Sequence, residues 1–362
     1  MNPSKKRLVW LGIVLIASAG FGVSKFHPVA HCEPTLALEP QIDSCSPRDD
    51  TSNRESKTNE HSDSRPHVGV RSYPVFMLDE VLSHISNTGS RLYREGKTKS
   101  ESELRKNLKI QSCELTLPKA SEKTISGCDL YRRVCESIFI VCSLSKPENG
   151  QDWQSSFATA FAVTEDGVLS SSCHVFVHDD DADAVVVMDM NKNVYPVTEL
   201  LATNKDTDTC LFRIDARRLK PLPLAVVNAQ PGSEVRIIGH PGESFFYFSA
   251  GHVTNYERDR ERVLWMNVTA DFGQGSSGGP VFDALGNVIG QVSRTFTLYA
   301  DGAPTQGNRQ TTSFVRASSD NSHQDEDSKN EGLSAKKNMD TQMIFRSCVP
   351  IESVRLLIKN KE

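Results

Sequence analysis

Gly275-Ser276-Ser277-Gly278-Gly279-Pro280 is the stretch on which the reading of this 362-residue chain turns. A serine hydroxyl is a poor nucleophile unless a base takes its proton, and the oxyanion formed on attack needs fixed donors. Glycines around a serine let the backbone turn tightly and expose N–H groups without side-chain obstruction. In such a loop the amides of Gly275 and Ser277 can converge on one carbonyl oxygen. The same residues also fit a plain Gly/Ser-rich turn between strands, so the motif must be weighed with what precedes it.

Two earlier stretches supply partners. Thr159-Ala160-Phe161-Ala162-Val163, the turn Glu165-Asp166-Gly167 and Val168-Leu169-Ser170-Ser171-Ser172-Cys173-His174-Val175 read as a hairpin with His174 just past its second strand. Histidine suits general-base work because its reference pKa is about 6.5, although a lone histidine is more often a surface or satisfied core residue. In Asn204-Lys205-Asp206-Thr207-Asp208-Thr209-Cys210-Leu211, Asp208 immediately precedes an apolar strand, where it can be partly buried and orient an imidazole. Asp206 is its rival, with the poorer register.

The order His174, Asp208, Ser277 is that of chymotrypsin-like enzymes and differs from subtilisin and the α/β-hydrolases. On these motifs the region from roughly Asp129 to Ile358 resembles the protease domain of the HtrA/Deg family of trypsin-like proteases. Ile238-Gly239-His240-Pro241 resembles that family's Ile-Gly-Asn-Pro, Ser249-Ala250-Gly251-His252-Val253 resembles its Ser-x-Gly-x-Val strand, and Val349-Pro350 resembles the close of the second barrel. The resemblance implies an all-β fold of two six-stranded antiparallel barrels with short flanking helices and the site between them. It implies attack by Ser277, proton transfer by His174, orientation of His174 by Asp208, and an oxyanion hole at the Gly275 and Ser277 amides. No metal or organic cofactor is required. Three departures stand out. Ser276 replaces the usual Asn or Asp, Cys173 precedes His174 as a packing residue, and the chain stops at Glu362, where many relatives begin a PDZ domain.

Val292-Ser293-Arg294-Thr295 resembles the strand that lines the primary specificity pocket and pairs with the substrate backbone. Ser293, Arg294 and Thr295 are therefore substrate-binding candidates. Asp271 lies six residues before Ser277, where an acidic residue in trypsin selects Lys or Arg. It is a candidate for that role, against the blander reading of a solvated loop carboxylate.

Around these motifs, short strands separated by polar turns are expected at Phe157–Val163, Val168–Ser171, Ala184–Met190, Val194–Ala202, Cys210–Ile214, Val235–Gly239, Phe245–Tyr256, Arg262–Thr269, Val288–Val292 and Met343–Val349, with a closing helix over Ile351–Ile358. Leu78, Val81, Leu82 and Ile85 predict an amphipathic helix ending near Gly89 and packed on the domain. Asp129 could cap a short helix through Val134. The domain reading is a signal peptide or membrane anchor over 1–30, a disordered linker over 31–72, a helical or irregular extension over 73–127, and the protease domain over 128–362. The last carries a disordered insert at about 300–340.

Lys5, Lys6 and Arg7 followed by the apolar run Leu8–Val23, with Ala17-Ser18-Ala19 beyond its middle, mark an export leader. Cleaved signal and retained single-span anchor both fit, so the expected location is periplasmic or extracellular, with membrane association through that run. The formal net charge of −5 gives no reason to expect a nucleic-acid partner. Nine cysteines cannot all pair internally, and none has metal spacing; most read as small core residues. His174, His178, Asp179, Asp180, Asp181 and Asp183 read as a solvated acidic loop rather than a metal site. Asn267-Val268-Thr269 is a glycosylation sequon that falls by chance in a strand. The function expected is an exported serine endopeptidase acting on polypeptides, its oligomeric state open. A catalytically silent two-barrel binding protein and an esterase-like hydrolase are the alternatives.

Overall fold

The computed structural model describes residues 75–106, 108, 112–146, 153–177, 181–299 and 341–360. The expected leader, linker and polar insert lie outside the described residues, as do Cys32 and Cys45.

Helix α1 (Leu78–Arg94) buries Val81 and Ile85 completely, as their helical spacing predicts. It runs through Gly89 rather than ending there. A methyl group at Gly89 would come 2.3 Å from Leu144 Cδ1, so this glycine permits close packing on the barrel instead of stopping the helix. Helix α2 (Glu101–Lys106) and strand β1 (Cys113–Leu115) follow. Helix α3 (Gly127–Val134) is capped by Ser126, whose Oγ accepts the Asp129 N–H; the cap lies three residues earlier than Asp129.

Strands β2 (Ile138–Ser145), β3 (Gln154–Ala162), β4 (Val168–Ser171), β5 (Ala184–Met188), β6 (Val194–Asn204) and β7 (Thr209–Ile214) close into an antiparallel barrel in the order β2-β3-β4-β7-β6-β5. Strands β8 (Glu234–Gly239), β9 (Tyr247–Arg258), β10 (Leu264–Val268), β11 (Pro280–Phe282), β12 (Val288–Tyr299) and β13 (Thr341–Pro350) close into a second, in the order β10-β13-β12-β11-β8-β9. Two six-stranded antiparallel barrels are thus the fold. The closing helix α4 (Ile351–Arg355) is shorter than expected, because β14 (Ile358–Asn360) leaves it to pair in parallel with β1.

Strand β2 shows how sequence sets the core. Phe139 and Val141 join one apolar cluster with Ala160, Val187 and Phe212, whereas Ile138, Ile140 and Leu144 join another with Val81, Ile85 and Phe161. A strand buried on both faces reads as a continuous apolar run rather than an alternating one. The buried thiols of Cys135, Cys142, Cys173, Cys210 and Cys348 pack as small core groups, and the cysteines among the described residues are free. Asn267 is buried, accepts from Ser347 Oγ at 2.7 Å and donates to Asn255 Oδ1, so the folded chain offers no glycan acceptor there. Among the described residues no helix is long and apolar enough to cross a membrane.

One buried carboxylate sets a pH dependence of its own. Glu101 is fully buried, and desolvation pushes its carboxyl up to about 7, although Ser143 Oγ donates to it at 3.1 Å and Arg105 Nη1 lies 3.6 Å away. A raised acid destabilises the fold progressively as pH climbs from the unfolded value towards the folded one, then by a constant amount. Glu101→Gln should therefore raise the thermal midpoint more at pH 8 than at pH 4, as scanning calorimetry at the two pH values would show. An equal effect at both would contradict this.

Candidate active site

His174 sits in a 3-10 turn, Cys173–Phe176, that follows β4 directly. Asp208 ends the loop between β6 and β7. That loop is shaped by the Asn204 side chain, whose Oδ1 accepts the amides of Asp206 and Thr207 at 3.0 and 3.1 Å. Asp208 takes a left-handed φ of 50°, a conformation aspartate tolerates better than most residues. It aims the carboxylate back at His174: Oδ1 accepts the His174 amide at 3.0 Å, and His174 Nδ1 lies 3.0 and 2.9 Å from the two oxygens. Asp206 is exposed and makes no such contact, which separates the two rivals. Burial drives the Asp208 carboxyl up. The charge and hydrogen bonds of His174, joined by Ser293, outweigh that and hold it below its ordinary value.

The segment Gly275–Pro280 is fastened to the first barrel by Thr159. Its N–H donates to Ser277 O at 2.9 Å and its Oγ1 to Gly275 O at 2.8 Å. Two of the three serines before Cys173 extend the clasp, Ser170 Oγ donating to Gln291 Oε1 and Ser172 Oγ to Val292 O, while Ser171 Oγ donates to Thr159 O within the first barrel. Gly278, at φ 86°, admits this approach, since a methyl group there would lie 2.2 Å from both Ser171 Oγ and Thr159 O.

The oxyanion candidates are also held. Gln274 O accepts the Gly242 N–H at 2.8 Å, and in a trans peptide that turns the Gly275 N–H the opposite way. Among the described residues neither the Gly275 nor the Ser277 N–H has an acceptor. His240 underlies this loop: it is fully buried, its Nδ1 accepts the Phe246 N–H at 3.0 Å, and burial lowers its pKa to about 3, so it is neutral packing. Gly275 has φ 95°, and a methyl group on it would meet His240 O at 2.3 Å. Gly275→Ala should therefore cut turnover by about 10²–10³-fold and lower the thermal midpoint by several degrees. Steady-state rates beside a melting curve check both; an unchanged rate would remove Gly275 from the site.

Ser277 Oγ donates to Ser293 O at 3.4 Å, a long bond, and no hydrogen bond joins it to His174. Ser293 in turn donates its Oγ to Asp208 Oδ2 at 2.5 Å. The structure thus brings His174, Asp208, Ser293 and Ser277 into one chain of contacts, with Ser277 entering through the Ser293 backbone. A rotation about χ1 of Ser277 is what would turn its hydroxyl elsewhere.

The other substrate-binding candidates differ in what they do. Arg294 stacks on Trp265, its guanidinium carbon 3.6 Å from the ring centroid, and lies 3.6 Å from Asp259, which also accepts from Trp265 Nε1. Thr295 is exposed and faces Arg346 across the β12–β13 ladder. Asp271 is paired with Arg346 at 2.6 Å. Arg346 was not singled out by sequence, and Thr159 and the Ser170–Ser172 run entered only as part of the hairpin before His174, with no role of their own. A row of hydroxyls in an apolar strand was the one available signal. Of the acidic-loop residues, Asp181 pairs with Arg105 and Asp183 accepts the Lys146 N–H. His178, Asp179 and Asp180 lie outside the described residues. No cluster of metal-ligating side chains occurs among the described residues.

Residues 158–290 match the family model described as "Trypsin-like peptidase domain". A protein of Marinomonas sp. described as "Probable periplasmic serine endoprotease DegP-like" is 30% identical over 155 residues, covering 42% of this chain and 32% of that one. Its counterpart from Halomonas elongata is 29% identical over 146 residues, covering 39% and 30%. The aligned part of this chain spans about a third of the length of these curated relatives. Among solved structures, an HtrA-type protease with a tripeptide superposes with a TM-score of 0.45 at 16% identity, covering 64% of this chain and 61% of the other.

Proposed function

We propose that this chain, whose residues 158–290 match the trypsin-like peptidase family model, is an exported serine endopeptidase of the HtrA kind. The observation that carries the proposal is the part-buried, hydrogen-bonded His174–Asp208 pair joined to Ser277 through Ser293. In the reaction, His174 Nε2 takes the Ser277 proton as Oγ attacks the peptide carbonyl. Asp208 holds Nδ1 protonated and balances the imidazolium that forms. The Gly275 and Ser277 amides receive the oxyanion, and His174 then returns the proton to the leaving amine. Water then attacks the acyl carbonyl as His174 takes its proton, and His174 gives that proton to Ser277 Oγ as the acyl bond breaks and the acid product leaves.

Export is supported by the basic and apolar leader and by the periplasmic description of the relatives. Anchoring by that leader rests on its apolar run alone. Polypeptides are the substrates this reading requires. Labelling by a fluorophosphonate probe together with digestion of denatured casein tests the proposal. A protein that neither labels nor digests casein would be the silent two-barrel alternative, and ester turnover without casein cleavage would mark an esterase.

A further inference from the structure

The turn that carries His174 is held by a residue of the N-terminal extension, upstream of the residues that match the family model. Helix α2 opens with a reciprocal cap: the Glu103 N–H donates to Ser100 Oγ at 3.2 Å, and Glu103 Oε2 accepts the Ser100 N–H at 2.8 Å. Leu104, fully buried, joins the apolar cluster that contains Cys173, Val175 and Phe176 of the His174 turn. The Glu101 N–H donates to Ala182 O at 3.0 Å, so the helix is also tied to the start of β5. Arg105 Nη1 then donates to Phe176 O, the last carbonyl of the turn, at 2.9 Å, while Nη2 pairs with Asp181. The same guanidinium lies 3.6 Å from Glu101 Oε2, an oxygen with no hydrogen-bond partner among the described residues.

We propose that Arg105 is a positioning residue for His174: its guanidinium anchors the far end of the turn whose near end Asp208 holds. The inference rests on the proteolytic reading above and adds a residue that serves the same site. At the near end the Cys173 N–H donates to Asp208 O at 3.2 Å and the His174 N–H to Asp208 Oδ1 at 3.0 Å. The bonds inside the turn are long, Val175 N–H to Ser172 O at 3.3 Å and Val177 N–H to His174 O at 3.4 Å. A short turn so loosely closed takes its shape from what grips it. A charge-assisted hydrogen bond is roughly twice as strong as a neutral one. The planar fork of arginine serves a carbonyl and a carboxylate at once, where lysine offers a single point of charge. A general base displaced by about 1 Å can cost about 10²-fold in rate.

Arg105→Ala in the full chain should lower kcat on a fluorogenic casein by about tenfold to 10²-fold. KM should stay where it was, because β12 and the loop around Ser277 keep their contacts. The Arg105 side chain is 27% exposed, so the space it leaves opens to solvent, and millimolar guanidinium should recover kcat severalfold where equal sodium chloride does not. Where the alanine variant does not fold, Arg105→Gln keeps part of the stem, cannot reach Phe176 O and should show the same fall. A kcat equal to that of the unaltered protein, or a change confined to KM, would overturn the assignment. A second readout needs no turnover. In Ser277→Ala, the proton between His174 Nδ1 and Asp208 should give a far-downfield NMR signal, and adding Arg105→Ala should shift or broaden it. A fall in kcat that guanidinium does not recover, with that signal unmoved, would reduce Arg105 to a stability role and sink the proposal. A moved signal with no turnover in the unaltered protein would sink the proteolytic reading and leave the positioning of His174 standing.

Discussion

Ser277→Ala is expected to lower the turnover of denatured casein by about 10⁶-fold, and to abolish fluorophosphonate labelling, while leaving the melting curve where it was. The rate falls because the bond to the substrate carbonyl is made by the one atom removed. Stability is untouched because that atom contributes little to the fold: its single described hydrogen bond, to Ser293 O, is 3.4 Å long. The contacts that shape the loop use backbone groups the substitution keeps, including the Ser277 carbonyl that accepts from Thr159. Residual rate above that of water would come from the Gly275 and Ser277 amides. Casein turnover close to that of the unaltered protein would remove Ser277 from the mechanism, and a large fall in the melting midpoint would mean the loop had been misread as backbone-held.

Asp208→Asn comes next, with a fall in kcat of about 10⁴-fold. The carboxylate accepts from the His174 amide, from His174 Nδ1 and from Ser293 Oγ, and it is nearly enclosed. An asparagine keeps the shape but carries an NH₂ that can donate to Nδ1. The imidazole proton then moves to Nε2, where no proton can be accepted from Ser277. The substitution also has a signature in stability. Because the Asp208 carboxyl is held below its ordinary value, its contribution is fully present above the unfolded carboxyl range of about 3.9. It is lost as pH falls through the folded value. The variant should therefore be less stable than the unaltered protein at pH 7, and the gap should close as the pH is lowered towards 2. Denaturant titrations at several pH values read this; a gap independent of pH would mean that Asp208 is not ionised in the folded protein.

The parts of this site that were legible in sequence share a reason. A nucleophile loop must place its glycines within a residue or two of the serine, and a carboxylate beneath an imidazole must stand at a strand end, so both leave local marks. The barrels were legible because turns such as Glu165-Asp166-Gly167 interrupt apolar runs at close intervals. What stayed hidden depends on long-range register. Strand β12 was expected over Val288–Val292, with the family resemblance reaching as far as Thr295. It continues to Tyr299 because β13 pairs with it along that whole length. The role of the Ser293 hydroxyl follows from the irregularity between Val292 and Arg294, where the ladder skips a residue. Arg346 finds Asp271 only because β13 lies between β10 and β12. Gly89 misled for the opposite reason: a helix breaker by propensity, it is kept by the proximity of Leu144.

Ser293 has a consequence for how this centre can change. Its carbonyl accepts a long bond from the hydroxyl of Ser277 while its own hydroxyl donates to Asp208, so a single strand position touches both side chains. On the proposed reading, a shift of β12 at this one position would reach the contacts of both side chains in the same movement.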